Sequence, residues 1–273
     1  MIVMLPQLGL KGSSDLRQIN DRLQYQPTTY EFYTDQNDFT DDGYRRLIDA
    51  VQYVQSRGVQ NIVIHHPMVF DNLHTDLVAP ESKFPQLYRF IETSTEQLIR
   101  LATDQHVQCL VHGAYAKETP LFIQEYPSLK AAQQAVFKRL DRFKIMGGCQ
   151  IMFENSISPI FSYGDPTLED EILSHHYRLA FDTSHCFIFS HGSNQQLQAS
   201  LHHLATSIVH YHLVDSLGKT HDSLPLGKGK IDWRGVLPLL NQNATSIYEI
   251  NLKNNDDCQE QLASHRYLVS LNH

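Results

Sequence analysis

Short apolar runs alternate along this chain with longer segments in which apolar residues recur at helical spacing. Each run is four to eight residues long, rich in β-branched and aromatic side chains, which predicts a strand. The predicted strands cover residues 2–8, 28–34, 61–66, 107–112, 149–154, 177–182, 208–213 and 246–250. This alternation is typical of repeated βα units around a parallel sheet.

Two of the intervening segments carry clear helix signals. In residues 41–58, Leu47, Val51 and Val54 fall on one face and Gly58 provides a stop. Residues 127–148 follow the same period, with Ser128 as the predicted N-cap. Eight βα units in 273 residues favour a closed (β/α)₈ barrel, a single domain over 1–273, above an open doubly wound sheet.

Polar residues follow the apolar runs at the same relative position. The last six predicted strands each end in, or just before, a histidine or a carboxylate. These residues are His65, His66, His112, Glu154, Asp182, His185, His212, Asp215 and Glu249. The carboxyl ends of barrel strands meet at one face, where active sites of this fold lie. Buried ionisable groups there must be paired or coordinated, and imidazoles mixed with carboxylates suit Zn²⁺ or Mn²⁺.

Each of these residues taken alone has an ordinary structural explanation. A lone histidine at a strand end is more often a hydrogen-bonded core residue, and Glu154 or Asp182 could cap a helix. The metal interpretation depends on the conjunction, because structural histidines have no reason to follow the strand ends. We place His210 deeper than His212, either in the core or as a support of the metal ligands, and we expect the remaining histidines, including His74, to be solvated.

Composition narrows the class of partner. The formal net charge is −8, and the pI is about 6.0, so no general attraction to nucleic acid or anionic membrane is expected. The four cysteines show no CxxC pair, which indicates reduced thiols in a cytoplasmic protein. No apolar stretch approaches the roughly 18 residues of a membrane span, and the N-terminus lacks the basic region of a signal peptide. The oligomeric state is left open.

Four segments carry a family resemblance: FENS (153–156), FDTSH (181–185), YHLVDS (211–216) and LPLGKGKIDW (224–233). With them the chain resembles, over nearly its whole length, the xylose isomerase-like TIM barrels. That superfamily includes sugar and sugar-phosphate isomerases and epimerases, and the endonuclease IV-like enzymes that cleave abasic DNA. The resemblance implies a metal-dependent enzyme that holds one to three divalent ions.

The resemblance also assigns residues to sites. Glu154, Asp182, His212 and Glu249 match the four-ligand metal site that epimerases and endonucleases share. His112 and one of His65 or His66 match ligands of a second metal in the endonucleases, and the choice within that pair stays open. His185 matches a third-metal ligand in the endonucleases and a substrate contact in the epimerases.

This chain departs from the family pattern at one loop. The endonucleases have Asp-Arg-His where this sequence reads His221-Asp222-Ser223, so His221 is the possible extra metal ligand there. Lys219 lies next to the position of an arginine in some epimerases, and it is either a substrate contact or a solvated lysine. Asp215 and Tyr115 complete the candidate substrate-binding residues.

Two enzyme functions follow, with binding without turnover as a third interpretation. In an isomerase or epimerase acting on a small sugar or sugar phosphate, Glu154 and Glu249 would transfer a proton beside a metal-bound carbonyl. In an abasic-DNA hydrolase, two or three metals would cleave a phosphodiester. The loops after the later strands carry few cations, namely Lys117, Lys219, Lys228 and Lys230, which favours the small sugar over nucleic acid.

Overall fold

The structure is a computed structural model that describes residues 5–271. Its main sheet has eight parallel strands with helices between them. In their order across the sheet, the strands are β1 (Gly9–Gly12), β2 (Thr29–Tyr33), β3 (Asn61–His65), β6 (Gln108–His112), β7 (Ile151–Glu154), β8 (Leu179–Asp182), β9 (Ile208–His212) and β10 (Thr245–Ile247). A separate antiparallel hairpin consists of β4 (Val69–Phe70) and β5 (Leu73–His74). The predicted (β/α)₈ barrel is confirmed.

The helices surround the sheet and cover its outer face. They are α1 (Leu16–Leu23), α2 (Asp41–Ser56), α3 (Pro85–Asp104), α4 (Thr119–Phe122), α5 (Leu129–Gly147), α6 (Pro166–Ser174), α7 (Thr183–Phe189), α8 (Asn194–Leu204), α9 (Trp233–Val236) and α10 (Gln259–Ser270). The predicted N-cap of α5 is confirmed, because Ser128 Oγ accepts the backbone N–H of Ala131. Within residues 5–271, no helix is both long and apolar enough to cross a bilayer.

The barrel is nearly closed, because β10 lies beside β1. Gly9 permits this approach: a Cβ at that position would lie 1.8 Å from the carbonyl oxygen of Ser246. Only a residue without a side chain fits so close to a neighbouring backbone. The seam between the first and last strands therefore depends on Gly9.

The first strand lies later in the chain than predicted. Residues 2–8 were expected to form it, but β1 begins at Gly9. Residues 2–4 of the prediction lie outside the described part, and Pro6, which lacks a backbone N–H, lies before the strand. The shift brings Lys11 into β1, with consequences for the site.

Side-chain alternation along the strands separates two environments. Val63, Leu110, Met152 and Ala180 form their own small apolar cluster inside the barrel, apart from the large core between the sheet and helices. Two residues further along the same strands, at the carboxyl end, the inward positions are polar. These positions are His65, His112, Glu154 and Asp182. The apolar cluster thus lies beneath a layer of polar residues at the carboxyl ends of the strands.

Candidate metal and active site

Glu154 is the centre of a carboxylate–histidine cluster at the carboxyl ends of the strands. It is fully buried, with Oε2 lying 3.0 Å from His112 Nε2 and 3.5 Å from His65 Nε2. On the other side, Oε1 lies 3.0 Å from His212 Nδ1. Burial opposes the negative charge of Glu154, but His112 and His212 outweigh that effect and hold its pKa well below the usual carboxyl range. Glu154 is therefore a buried anion that faces imidazoles in two directions.

The four residues matched to the shared metal site come together. One ligand atom each from Glu154, Asp182, His212 and Glu249 lie within 4.8 Å of one another. His212 Nδ1 also contacts a carboxylate oxygen of Glu249. Burial would lower the pKa of His212, but Glu154, Glu249 and Glu31 raise it well above its ordinary value. The group has more buried carboxylates than buried cations, a charge pattern suited to a divalent ion.

Unpartnered polar atoms test whether a metal fits these residues. Within residues 5–271, His65 Nε2 is buried and makes no hydrogen bond, and the buried Glu154 Oε2 faces the Nε2 atoms of His65 and His112. His65 Nδ1 lies 2.7 Å from the carbonyl oxygen of His66 and donates to it, which leaves the Nε2 lone pair directed at the cluster. Ligands about 2.0–2.2 Å from one ion lie at most about 4.4 Å apart, close to the 4.8 Å within which these ligand atoms lie, and the mix of imidazoles and carboxylates is one that Zn²⁺ or Mn²⁺ accepts. The residues therefore fit a divalent metal.

A second set of ligand atoms shares Glu154 with the first. His65, His112 and Glu154 also lie within 4.8 Å of one another. His66 is directed elsewhere: its Nε2 lies 2.8 Å from Ser94 Oγ on α3, and burial, followed by His65 and His112, lowers its pKa to about 3. Of the two histidines left open by the sequence, the structure brings His65 to the cluster and does not bring His66.

Asp182 both caps a helix and belongs to the group of candidate metal ligands. Its Oδ1 accepts the backbone N–H of His185 at 2.7 Å and the hydroxyl of Ser184 at 2.8 Å, which caps α7. It also belongs to the four-residue group. The helix-cap and metal-ligand interpretations of this residue are therefore compatible.

His185 and His221 form a pair at the edge of the cluster. Their Nε2 atoms are 2.9 Å apart, while His185 Nδ1 donates to the carbonyl oxygen of Asn155 at 2.9 Å. Burial would lower the pKa of His185, but Asp182 and Glu154 raise it. His221, the possible extra ligand, thus lies beside His185.

Two charged residues at the floor of the site were missed from the sequence. Lys11 on β1 contacts Glu249 and lies 3.0 Å from Glu31 Oε1. Glu31 on β2 is fully buried, and its Oε2 lies 2.9 Å from Nε2 of both His210 and His212. Burial opposes protonation of Lys11, but Glu249 and Glu31 outweigh it and raise its pKa. A charged residue within an apolar strand must find a partner, and that was the available signal for Glu31.

A cavity of about 820 Å³ opens above the cluster. Polar residues that line it include Lys11, Tyr115, Asp182, His185, His221 and Glu249. The Glu249 side chain is 21% exposed, whereas Glu154 is completely covered. Apolar side chains line the cavity as well, namely Met68, Val69, Ile157, Ile250 and Leu252. The cavity therefore combines a charged floor with apolar walls.

Aromatic and imidazole groups complete the wall above the second ligand set. Tyr115 stacks on the His112 ring, with centroids 4.5 Å apart. His74, expected to be solvated, also lines the cavity, and its Nδ1 lies 2.7 Å from Glu118 Oε2. The β4–β5 hairpin, which no sequence signal predicted, brings His74 to this position.

Part of the sequence and the whole fold are similar to those of known proteins. Residues 166–267 match the profile of the family described as xylose isomerase-like TIM barrel. The chain has the (β/α)₈ fold of the xylose isomerase-like TIM barrels, and its C-terminal third matches that family's profile. No curated protein matches it by sequence.

Several solved structures share this xylose isomerase-like barrel at low identity. The TTHB071 protein from Thermus thermophilus, soaked with ZnCl₂, is 21% identical with a TM-score of 0.66 over 98% of each chain. D-psicose 3-epimerase from Clostridium cellulolyticum, solved with D-tagatose, is 12% identical with a TM-score of 0.67 over 97% of this chain and 98% of that one. SacUVDE is 12% identical with a TM-score of 0.61 over 98% of this chain and 99% of that one. At these identities the likeness establishes the fold.

Two residues expected to bind substrate lie elsewhere in this xylose isomerase-like barrel. Lys219 is exposed and does not line the cavity. Asp215 is fully buried and accepts the backbone N–H groups of Ser216, Gly227 and Ile231 and the indole N–H of Trp233. These contacts fix the 224–233 loop, so Asp215 supports the wall of the site and does not itself line the cavity.

We expect Asp215→Asn to lower the free energy of unfolding by about 3 kcal/mol, because two buried donors would lose their acceptor. Urea denaturation of this variant, beside the exposed Asp49→Asn on α2, measures the difference. Metal affinity of the folded variant should stay within about threefold of wild type, since Asp215 lies outside both ligand groups. Normal stability with a loss of ligand affinity would return Asp215 to the substrate-binding residues.

Proposed function

We propose that this chain is a metal-dependent isomerase or epimerase that acts on a small, uncharged ketose. The position of Glu249 carries the proposal. This carboxylate belongs to the candidate metal cluster and is also open to the cavity, so it can contact both the ion and a ligand. Its relatives in fold include proteins described as D-psicose and L-ribulose 3-epimerases.

Glu154, Asp182, His212 and Glu249 would hold the ion. When bound, it would act as a Lewis acid that polarises the sugar carbonyl. Glu249 would take a proton from the carbon beside that carbonyl. Lys11 contacts Glu249, and burial of this carboxylate is outweighed by His212 and Lys11, which lower its pKa and keep it ionised to accept the proton. Epimerisation needs a second proton transfer on the opposite face of the sugar, and Glu154 is proposed for it, which requires its covered carboxylate to open to the cavity.

The charges of the cavity support a neutral substrate over a phosphorylated one. Among residues 5–271, the cationic side chains lining the cavity are Lys11 and Lys117, with no arginine. Lys11 is already paired with two carboxylates, and Lys117 is largely exposed beside Glu118. A phosphate group would thus meet few free donors, and the carboxylates of the floor would repel it.

One observation favours hydrolysis of abasic DNA as the second candidate function. The His65–His112–Glu154 set beside the first group resembles a second metal site, which phosphodiester chemistry uses. Against it stands the same scarcity of cations, since holding a duplex takes several lysine or arginine contacts to phosphate. A small neutral sugar is therefore more compatible with the few cations of the cavity than a nucleic acid is.

A substrate panel in deuterated water distinguishes these functions. We expect Mn²⁺-loaded protein to incorporate deuterium into at least one neutral ketopentose or ketohexose. The matched ketose phosphate should react at least about tenfold less efficiently, equivalent to about 1.4 kcal/mol of discrimination. Preference for the phosphate would contradict the neutral-substrate assignment. Metal-dependent nicking of an abasic oligonucleotide, with no exchange into any sugar, would replace the proposal with the hydrolase.

A further inference from the structure

Glu31 accepts contacts from three donors in the floor of the site. Its Oε2 lies 2.9 Å from His212 Nε2 and 2.9 Å from His210 Nε2, and its Oε1 lies 3.0 Å from Lys11 Nζ. The residue is fully buried on β2, and His210 is held in turn by Thr245 Oγ1, 2.6 Å from its Nδ1. A buried carboxylate with these neighbours has few ways to rotate.

The two nitrogens of His212 face opposite partners. Nε2 faces Glu31, while Nδ1 faces Glu154 and Glu249 in the candidate metal group. A neutral imidazole carries its proton on one nitrogen and offers a lone pair on the other. If Nε2–H donates to Glu31, Nδ1 presents its lone pair to an ion, and a carboxylate partner of this kind orients a ligating imidazole.

We propose that Glu31 is the positioning residue of the metal centre: it fixes the His212 tautomer and ring orientation for ligation through Nδ1. It also holds Lys11 beside Glu249, so one carboxylate aligns a ligand and the charge next to the proton-transferring group. The inference rests on the proposed metal centre but not on the identity of the sugar. Among the four proposed ligands, Glu31 contacts His212, and its effect reaches the ion through that ring.

Glu31→Gln keeps the size of the side chain and disrupts this arrangement. If the amide oxygen faces the two imidazoles, the amide NH₂ lies against the Lys11 ammonium. If the amide is turned round, its NH₂ faces His212 Nε2 and favours the tautomer with the proton on Nδ1, which cannot ligate. Both arrangements weaken ligation by His212.

The test is calorimetric titration of chelator-stripped protein with Zn²⁺ and with Mn²⁺. We expect Glu31→Gln to raise the Kd of the tightest site about 10- to 100-fold. Glu169→Gln is the matched control, because Glu169 is also a buried carboxylate that accepts from an imidazole, His203, at 2.8 Å but touches no cluster residue. Its Kd should stay within about threefold of wild type.

Unchanged affinity in Glu31→Gln overturns the inference, and so does an equal loss in both variants, which would indicate general damage to the barrel. If wild type binds neither metal, the proposed metal centre fails first and takes the inference with it. Should Glu31→Gln not fold, long-range ¹H–¹⁵N spectra of Zn²⁺-loaded wild type with labelled histidine decide the point. The His212 proton is expected on Nε2, and a proton on Nδ1 overturns the inference.

Discussion

Glu154→Gln should cost at least about 100-fold in metal affinity, more than the loss of a residue that only supports a ligand. Glu154 is shared by both ligand sets and lies within 3.5 Å of three imidazoles, so one substitution removes an anion that both sets use. A glutamine amide would also place donors against imidazole N–H groups. Titration with Zn²⁺ and Mn²⁺ measures the affinity, and thermal unfolding in chelator separates this effect from a loss of folding.

Ser223→Ala is the comparison for that variant. Ser223 stands where the endonucleases have a histidine ligand, and it lines the cavity without belonging to either ligand set. Its substitution should change metal affinity by no more than about threefold. Comparable losses from the two substitutions would mean that the 221–223 loop ligates a metal in this protein.

Glu249→Gln should reduce the rate of deuterium exchange about 10²- to 10⁴-fold, the usual contribution of a general base. The reason is that Glu249 belongs to the ligand set and is open to the cavity, whereas Glu154 is covered. Because the other three ligands remain, the variant should still bind metal at raised concentration. Single-turnover exchange at saturating Mn²⁺ measures the chemical step separately from metal affinity.

The control for this variant is Glu260→Gln on α10. Glu260 is a partly exposed carboxylate that does not line the cavity, so exchange should proceed at the wild-type rate. Full exchange activity in metal-saturated Glu249→Gln would remove Glu249 from proton transfer and leave it as a ligand alone.

Sequence patterns were sufficient for the barrel because its strands and helices differ strongly in period. The β6 and β7 ends agree with the predictions at His112 and Glu154, and α2 ends close to its predicted stop at Gly58. The first strand was wrong because an apolar run around Pro6 looked more strand-like than the glycine-containing segment that forms β1. An apolar run indicates that a segment is buried, but the close approach of the first and last strands requires a glycine.

The choice between His65 and His66 shows what the pattern could not decide. Strands of a parallel barrel are buried on both faces, so residues 62–64 form a continuous apolar run that does not reveal which side faces inward. The structure settles the orientation because Val63 belongs to the interior cluster, and His65 lies two residues further on. The hydrophobic pattern alone does not show which side of the strand faces the barrel interior.

Lys11 and Glu31 were missed for a related reason. Both lie on early strands that carry no histidine, and the resemblance assigned them no role. Their importance arises from barrel closure, which brings β1 and β2 opposite His212 and Glu249. The loop residue Asp215 was assigned to substrate because polar residues near strand ends look alike until their hydrogen bonds are seen.

The most direct test of the proposed isomerase or epimerase activity is proton exchange that depends on metal. Wild-type protein would be stripped with chelator, divided, and incubated in deuterated water with a neutral ketose panel, with and without added Mn²⁺. We expect deuterium at the carbon beside the carbonyl of at least one sugar in the sample with added Mn²⁺, and no deuterium in the sample without metal. Exchange at equal rates in both samples, or no exchange into any ketose by a sample with metal bound, would contradict it.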